Sequence, residues 1–205
     1  MLIPINLTVT VVFGVPGSGK TTLAAKIARQ EIDKRFAGKD AYNVFANFPL
    51  DGAILFDPLT DLGVYDIRDS VILIDEAGID FNNRKFKSFP ASLLKWCKLH
   101  RHYTCSVFVF SQSYDDMDIT FRRLATSFWL CRKIPLVNLL VVRPIKRRIG
   151  IDETTHQITD MFFWDNKGIK IVNMRKYWQY FDSFEAPPLA PRKWKAYHKK
   201  NKNTP

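Results

Sequence analysis

A glycine-rich segment near the N-terminus contains the residues whose spacing is most informative about chemistry. Residues 14–21 read GVPGSGKT and match the pattern GxxxxGK[ST] at every fixed position. Glycines let backbone N–H groups turn inward around phosphate oxygens, where a Cβ would intrude. In this pattern Lys20 can neutralise the β- and γ-phosphates, and the Thr21 hydroxyl can ligate Mg²⁺. The predicted nucleotide-binding residues are Gly14, Val15, Pro16, Gly17, Ser18, Gly19, Lys20, Thr21 and Thr22.

A second motif, VILIDEA at residues 71–77, is an apolar strand that ends in two acids. A carboxylate at the end of a buried strand reaches the sheet edge where open α/β folds bind ligands. We therefore predict that Asp75 holds Mg²⁺ through water, together with Thr21. Glu76 can polarise the attacking water, which ATP hydrolysis requires. This acid favours an ATPase over a nucleotide kinase, which needs a second substrate pocket instead.

Other polar residues are candidates for completing the site. Gln112 follows the apolar strand CSVFVF and could sense the γ-phosphate, or it could simply face solvent at the strand end. Ring-shaped ATPases bring an arginine from one subunit to the γ-phosphate of the next. Arg122 and Arg123 are the candidates for this role, with Arg101 in reserve. Each of these arginines could equally be a solvated surface charge.

The chain is basic, with 31 Lys and Arg against 20 Asp and Glu and a formal net charge of +11. Cations interleaved with aromatic rings can pair with phosphates and stack on exposed bases. The same stretches could lie on an acidic membrane, bind a partner protein or stay solvated, and composition does not choose among these. The candidate nucleic-acid residues are Arg143, Lys146, Arg147, Arg148, Arg192, Lys193, Trp194, Lys195 and Tyr197.

Two classes of protein are disfavoured by the composition. Three cysteines without a CxxC pair and four histidines without ligand spacing argue against a structural metal site, and they indicate reduced thiols in a cytosolic protein. The most apolar stretch, residues 128–142, is interrupted by Arg132, Lys133 and Pro135. It is shorter than the ~20 apolar residues that a membrane-spanning helix needs, so we predict no transmembrane segment.

Alternating strands and helices must position these residues. An apolar run at 7–13 leads directly into the glycine loop, and an amphipathic pattern follows it at 21–36. This alternation predicts an α/β fold with a mainly parallel sheet between two helical layers. Near the C-terminus, the turn sequence DNKG at 165–168 between two apolar runs predicts a β-hairpin added to the sheet. The other predicted elements are strands at 43–48, 71–74, 105–110, 127–130 and 139–142, and helices at 88–102 and 119–125. We place the ATPase domain at residues 1–184 and a flexible tail, rich in proline and then lysine, at 185–205.

The combination of motifs resembles the zonular occludens toxin (Zot) family, which includes the gene I assembly proteins of filamentous phages. GVPGSGKT and ILIDEA are common to many ATPases. The order in which LHRH (99–102), CSVFVF with Ser-Gln, and FRRL (121–124) follow them is more specific, and it covers about residues 8–134. The resemblance implies a RecA-like, ASCE-type P-loop NTPase core related to the FtsK–HerA motors, with ATP and Mg²⁺ as ligands. It also implies a homo-oligomeric ring that exports single-stranded DNA through the host inner membrane during phage assembly.

The sequence departs from the family in one respect, because members usually carry a membrane span after the ATPase domain. Either the chain is the cytoplasmic domain of a longer protein, or it docks on a separate membrane or phage assembly protein, which we favour. We therefore expect it in the cytoplasm, peripherally at the inner face of the host membrane. The leading hypothesis is an oligomeric ATPase motor for virion assembly, DNA packaging or single-stranded DNA export. The alternative is an ATP-dependent switch or scaffold that organises a membrane-associated assembly without moving DNA.

Overall fold

A mixed β-sheet organises the chain in the computed structural model, which describes residues 2–75, 91–115, 117, 119–151 and 158–182. Nine strands lie within these ranges, in the order β3-β2-β4-β5-β1-β6-β7-β8, with β9 also paired to β7. The strands are β1 (Val9–Phe13), β2 (Asn43–Ala46), β3 (Ile54–Leu55), β4 (Ser70–Ile74), β5 (Cys105–Ser111), β6 (Ser127–Ile134), β7 (Leu139–Ile151), β8 (Ile158–Trp164) and β9 (Lys170–Asn173).

The first six strands of this order are parallel. Strands β1, β4 and β5 are rich in β-branched and aromatic residues and are almost entirely buried, as expected for strands covered on both faces. Strand β5 lies between β1 and β4, so the ends of all three strands meet at one edge of the sheet. This edge is where the glycine loop begins and where Asp75 follows β4.

Helices cover both faces of the sheet. Helix α1 (Lys20–Phe36) packs Leu23 and Ile27 into one buried cluster, which also contains Phe108 of β5. Helices α2 (Ala91–Leu99) and α3 (Ile119–Leu124) pack on the other face, where Leu93 and Phe121 contribute to a second cluster. The predicted three-layer α/β sandwich with a mainly parallel sheet is thus confirmed. Among the described residues no helix has the length and apolar character to cross a membrane.

Strands β6 and β7, on the far side of β1 in the sheet, are longer than the sequence predicts. β6 and β7 run to Ile134 and Ile151, and the 3-10 turn Pro135–Val137 joins them into an antiparallel pair. Strand β7 therefore contains the whole first basic cluster, which we define as Arg143, Lys146, Arg147 and Arg148. The predicted tail, 185–205, and the domain boundary before it lie within residues 183–205, which are outside the described residues.

The predicted hairpin at 165–168 is wrong in its pairing. Within the described residues, β8 and β9 pair in succession with the same edge of β7 and not with each other. Residues 165–168 instead form a short 3-10 turn opposite Pro144, in which the Asp165 carboxylate accepts from the Lys167 N–H at 3.2 Å. Pro144 has no N–H for the ladder, and its ring leaves room only for a glycine at Gly168, where a Cβ would lie 2.8 Å from Cγ. The chain therefore steps past the proline and resumes pairing with β7. An antiparallel addition is present, but its two sides are β7 and the β8–β9 segment.

Candidate functional site

The glycine loop between β1 and α1 depends on three glycines. Gly17 and Gly19 have φ angles of 72° and 97°, in the left-handed region that favours glycine. Gly14 is required for a different reason, because a Cβ there would lie 2.6 Å from the Cys131 carbonyl oxygen and 2.7 Å from Ser18 Oγ. The pattern of glycines in the sequence thus reflects two backbone conformations and one close contact with β6.

The loop concentrates positive charge and unpaired donors. Lys20 is buried, with only 7% of its surface exposed, and its ammonium donates to the Gly14 carbonyl oxygen at 2.8 Å. Ser18 Oγ is also buried, and it has no hydrogen-bond partner among the described residues. The first turn of α1 (KTTL) contains no acid, so its free N–H groups and positive dipole end meet no carboxylate from their own helix. A buried cation, an unsatisfied hydroxyl and a helix N-terminus together fit a bound polyphosphate.

Thr21 and Asp75 come together at the edge of the sheet although 54 residues separate them. The Thr21 hydroxyl donates to Asp75 Oδ2 at 3.2 Å. One hydroxyl and one carboxylate beside a phosphate site fit hydrated Mg²⁺, which keeps several waters and takes few protein ligands. Among the described residues no group of three or more His, Cys, Asp or Glu side chains could hold a metal by itself.

Asn47, which the sequence analysis missed, fixes the backbone of Asp75. Its side-chain oxygen accepts from the Asp75 N–H at 2.7 Å, and its amide nitrogen donates to the Asp75 carbonyl oxygen at 3.0 Å. Asn47 directly follows β2, which pairs with β4, so both residues leave the sheet at the same edge. A polar residue at a strand end was the signal that singled out Gln112. The predicted strand at 43–48 enclosed Asn47, so the same signal applies to Asn47 only because β2 ends at Ala46.

A cavity of about 730 Å³ includes this edge of the sheet. Gln112 lines the same cavity as the glycine loop and Asp75, as the position of Gln112 after β5 predicts. It also contains residues that no motif indicated, namely Lys133 from β6 and four residues that follow β9. The lining residues are Pro16, Gly17, Gly19, Lys20, Thr21, Thr22, Asp75, Gln112, Lys133, Met174, Trp178, Phe181 and Asp182.

The candidate arginines lie elsewhere in the fold. Arg122 is on the α3 side of the sheet, where its guanidinium lies 5.1 Å from the centre of the Tyr114 ring and 3.6 Å from the Asp115 carboxylate. Arg123, on the same helix, is exposed. Arg101 donates to the Leu7 carbonyl oxygen at 3.2 Å, at the amino end of β1 and therefore at the opposite edge from the glycine loop. Within the described part of the chain, none of the three lines the cavity of its own subunit.

The first basic cluster is divided between the two faces of β7. Arg147 points toward α3 and donates to the Arg122 carbonyl oxygen at 3.3 Å. Side chains alternate along a strand, so Lys146 and Arg148 leave the other face. Lys146 pairs with Asp165 at 3.0 Å, and this hydrogen bond lowers the pKa of the Asp165 carboxyl.

Several predicted site residues lie outside the described residues. They are the proposed general base Glu76 and the second basic cluster, Arg192, Lys193, Trp194, Lys195 and Tyr197.

All three cysteines are free thiols in the core. Burial raises the pKa of both Cys97 and Cys131 to about 12, and that of Cys105 to about 11. They are therefore neutral at physiological pH and unsuited to nucleophilic or redox chemistry.

Three solved structures are similar to this chain. The N-terminal domain of zonular occludens toxin from Neisseria meningitidis matches with a TM-score of 0.50 and 18% identity over 85% of this chain and 98% of that one. The genome packaging NTPase B204 from Sulfolobus turreted icosahedral virus 2 has a TM-score of 0.46 and 13% identity, over 77% of this chain and 96% of that one. The flagellar accessory protein FlaH from Methanocaldococcus jannaschii has a TM-score of 0.49 and 12% identity, over 82% of this chain and 90% of that one.

No curated protein sequence matches this chain. The family model of zonular occludens toxin (Zot) matches residues 29–137, which is more than half of the 205 residues. The match begins after the glycine loop, so it is independent of the motif that many NTPases share. The sheet order, the loop and this match agree with the resemblance seen in the sequence, and the chain belongs to the Zot family, with a RecA-like P-loop NTPase fold.

Proposed function

We propose that this protein binds Mg-ATP in the glycine-loop cavity and hydrolyses it. The observation that carries the proposal is the 3.2 Å contact between the Thr21 hydroxyl and the Asp75 carboxylate, beside the buried ammonium of Lys20. An ATPase needs these three groups in one place, for the metal and for the phosphates. They come from two distant segments of the chain.

Each residue has a specific role in this proposal. The loop N–H groups and Lys20 hold the β- and γ-phosphates, while Thr21 and Asp75 hold the hydrated metal. Mg²⁺ supplies charge neutralisation on the phosphate oxygens. Gln112 shares the cavity with the loop and orients the attacking water or contacts the γ-phosphate. Glu76 follows Asp75 in the chain and accepts the proton of that water.

Two variants separate binding from hydrolysis. Lys20→Ala should greatly weaken Mg-ATP binding or abolish turnover, because it removes the charge that faces the phosphates. Glu76→Gln should bind ATP normally and hydrolyse it at least ~100-fold more slowly, the scale of losing a general base. Lys39→Ala, which removes an exposed lysine, is the control for Lys20→Ala.

The measurements are isothermal titration with Mg-ATP and phosphate release. Unchanged affinity and unchanged turnover in Lys20→Ala would refute the assignment of the phosphate site. Wild-type turnover in Glu76→Gln would place the general base elsewhere. Appearance of a phosphorylated small molecule instead of free phosphate would favour the kinase alternative.

We further propose that the ATPase acts as an oligomeric ring motor on single-stranded DNA. Family membership supports the ring, and the position of the arginines supports a site shared between subunits. Cation–aromatic pairs on strands β7 and β8 support the DNA partner. There the Arg143 guanidinium lies 5.3 Å from the Trp164 ring centre, and that of Arg148 lies 5.5 Å from Phe163. Both aromatic residues are about half exposed, at 54% and 46%, so each pair presents a cation beside a stacking surface, one pair on each face of the sheet.

We place this motor at the inner face of the host membrane, docked on a separate membrane or phage assembly protein. ATPase rate against protein concentration, with and without single-stranded DNA, tests the motor. For a motor, ATP turnover per subunit should rise with protein concentration and on addition of single-stranded DNA. Nucleotide binding without DNA-stimulated turnover would favour the alternative, a switch or scaffold.

Co-sedimentation with inner-membrane vesicles that contain phage assembly proteins tests the location, and recovery in the soluble fraction alone would contradict it.

A further inference from the structure

The segment after β9 forms a wall of the glycine-loop cavity. The 3-10 turns Met174–Lys176 and Trp178–Tyr180 run alongside α1. Two tyrosines hold this segment in place. The Tyr177 hydroxyl lies 3.3 Å from Lys26 Nζ, and the Tyr180 ring centre lies 4.6 Å from the Arg29 guanidinium. The wall is therefore attached to the helix that begins at the phosphate loop.

The other aromatic side chains of this segment, Trp178 and Phe181, line the cavity. Met174 joins them, and its Cε lies 3.0 Å from where a Cβ of Gly19 would be. Phe181 also packs against the core on the α1 side, whereas Trp178 keeps 43% of its surface exposed. Among the described lining residues, these two are the aromatic ones. The cavity thus has a polar end at the loop and an aromatic end at this wall.

A nucleoside triphosphate matches that division. The volume of about 730 Å³ is larger than a triphosphate needs and falls within the range of roughly 300–1,000 Å³ that small-molecule sites show. The residue after the loop motif, Thr22, lines the same cavity as Trp178, so the aromatic wall borders the space into which a nucleotide held by the loop must extend. An exposed indole at this point offers a flat apolar surface for a flat base.

We propose that Trp178, supported by Phe181 and Met174, is the base-binding surface of the nucleotide site, and that it binds a purine by stacking. This inference rests on the proposed function, since it assumes that the loop holds the phosphates. Stacking depends on ring area and not on edge hydrogen bonds, so adenine and guanine should both bind. The wall contributes affinity for the base and none for the phosphates.

The test compares ATP, GTP and inorganic tripolyphosphate, each with Mg²⁺, by isothermal titration. Trp178→Ala should weaken ATP and GTP binding by about tenfold or more, the usual effect of losing one base-stacking side chain. It should leave tripolyphosphate affinity unchanged. Trp178→Phe should recover most of the ATP affinity, because a smaller ring still stacks. Tyr65→Ala, which removes an exposed aromatic side chain (65%) outside the cavity wall, should change none of the three affinities.

Two results would overturn the inference alone. Trp178→Ala with wild-type ATP affinity would place the base elsewhere, and an equal loss for ATP and tripolyphosphate would show that the wall only supports the loop. Failure of the proposed function gives a different result, because wild-type protein would then bind neither ATP nor tripolyphosphate.

Discussion

Replacement of Asn47 by alanine tests how the metal-site carboxylate is positioned. The side chain makes two hydrogen bonds to the backbone of Asp75, at 2.7 and 3.0 Å. Asn47→Ala removes both and leaves the carboxylate itself in place. We expect two effects, because the Asp75 backbone is no longer held against β2. The protein should be less stable, and it should bind Mg²⁺ more weakly.

The magnitudes follow from these contacts. A typical intramolecular hydrogen bond contributes about 1 kcal/mol, so the free energy of unfolding should fall by about 2 kcal/mol. For a protein of this size that corresponds to a melting temperature lower by roughly 4–8 °C. Residues that orient a metal ligand typically change metal affinity by about 10- to 100-fold when mutated. The Mg²⁺ concentration for half-maximal turnover should therefore rise by at least about tenfold.

Thermal unfolding and a Mg²⁺ titration of ATP turnover measure the two effects separately. Asn43→Ala is the matched control, because Asn43 lies at the other end of β2 and is exposed. Its amide oxygen accepts from the Arg35 guanidinium at 2.9 Å. The melting temperature and Mg²⁺ dependence of this variant should stay near those of the wild type. An Asn47→Ala protein with wild-type values of both would refute the positioning role.

Three further predictions concern the loop, the subunit contact and the thiols. Gly14→Ala should destabilise the loop by about 1–3 kcal/mol through overpacking and should weaken ATP binding. Gly17→Ala meets open space and should cost about 1–2 kcal/mol, from backbone strain alone. Equal ATP affinity in Gly14→Ala and wild type would contradict the first expectation. Mixing an Arg122→Ala, Arg123→Ala double mutant with Lys20→Ala should restore part of the ATPase activity, since each supplies what the other lacks, and no rescue together with concentration-independent activity would argue for a self-contained monomer. Burial raises the pKa of the cysteine thiols to about 11 or about 12. Their contribution to stability is therefore complete below their ordinary pKa near 9 and is lost as pH rises toward the folded values. Native protein at pH 8 should react slowly with thiol reagents, and rapid labelling would show that the thiols are accessible.

Residues whose role depends on local backbone geometry were predictable from the sequence. The glycine loop is an example, because left-handed φ angles at Gly17 and Gly19 and the close approach at Gly14 are demands that glycine meets. The buried parallel strands were predictable for a similar reason, since continuous β-branched runs indicate strands covered on both faces. A strand that ends in an acid then places Asp75 at the ligand-binding edge. Fold class and family followed from these local signals.

The residues around the loop were decided by tertiary structure. Lys133 reads in the sequence as a charge that interrupts an apolar stretch, and the β1–β6 pairing is what brings it to the cavity. Trp178 follows the last described strand with no motif around it. It reaches the cavity because Tyr177 and Tyr180 attach its segment to α1.

Pairing partners and distances across the sheet were likewise outside the reach of local patterns. The turn at residues 165–168 has the composition of a hairpin turn, yet β8 and β9 pair in succession with β7 and not with each other. Pro144 lies where pairing with β7 passes from β8 to β9. Arg101 has the same charge as Arg122 in the sequence, but it lies at the opposite edge of the sheet from the loop. Sequence spacing determines which way a residue leaves its own strand or helix. Which other segment it then meets depends on the order of strands in the sheet, and that order is set by packing over the whole chain.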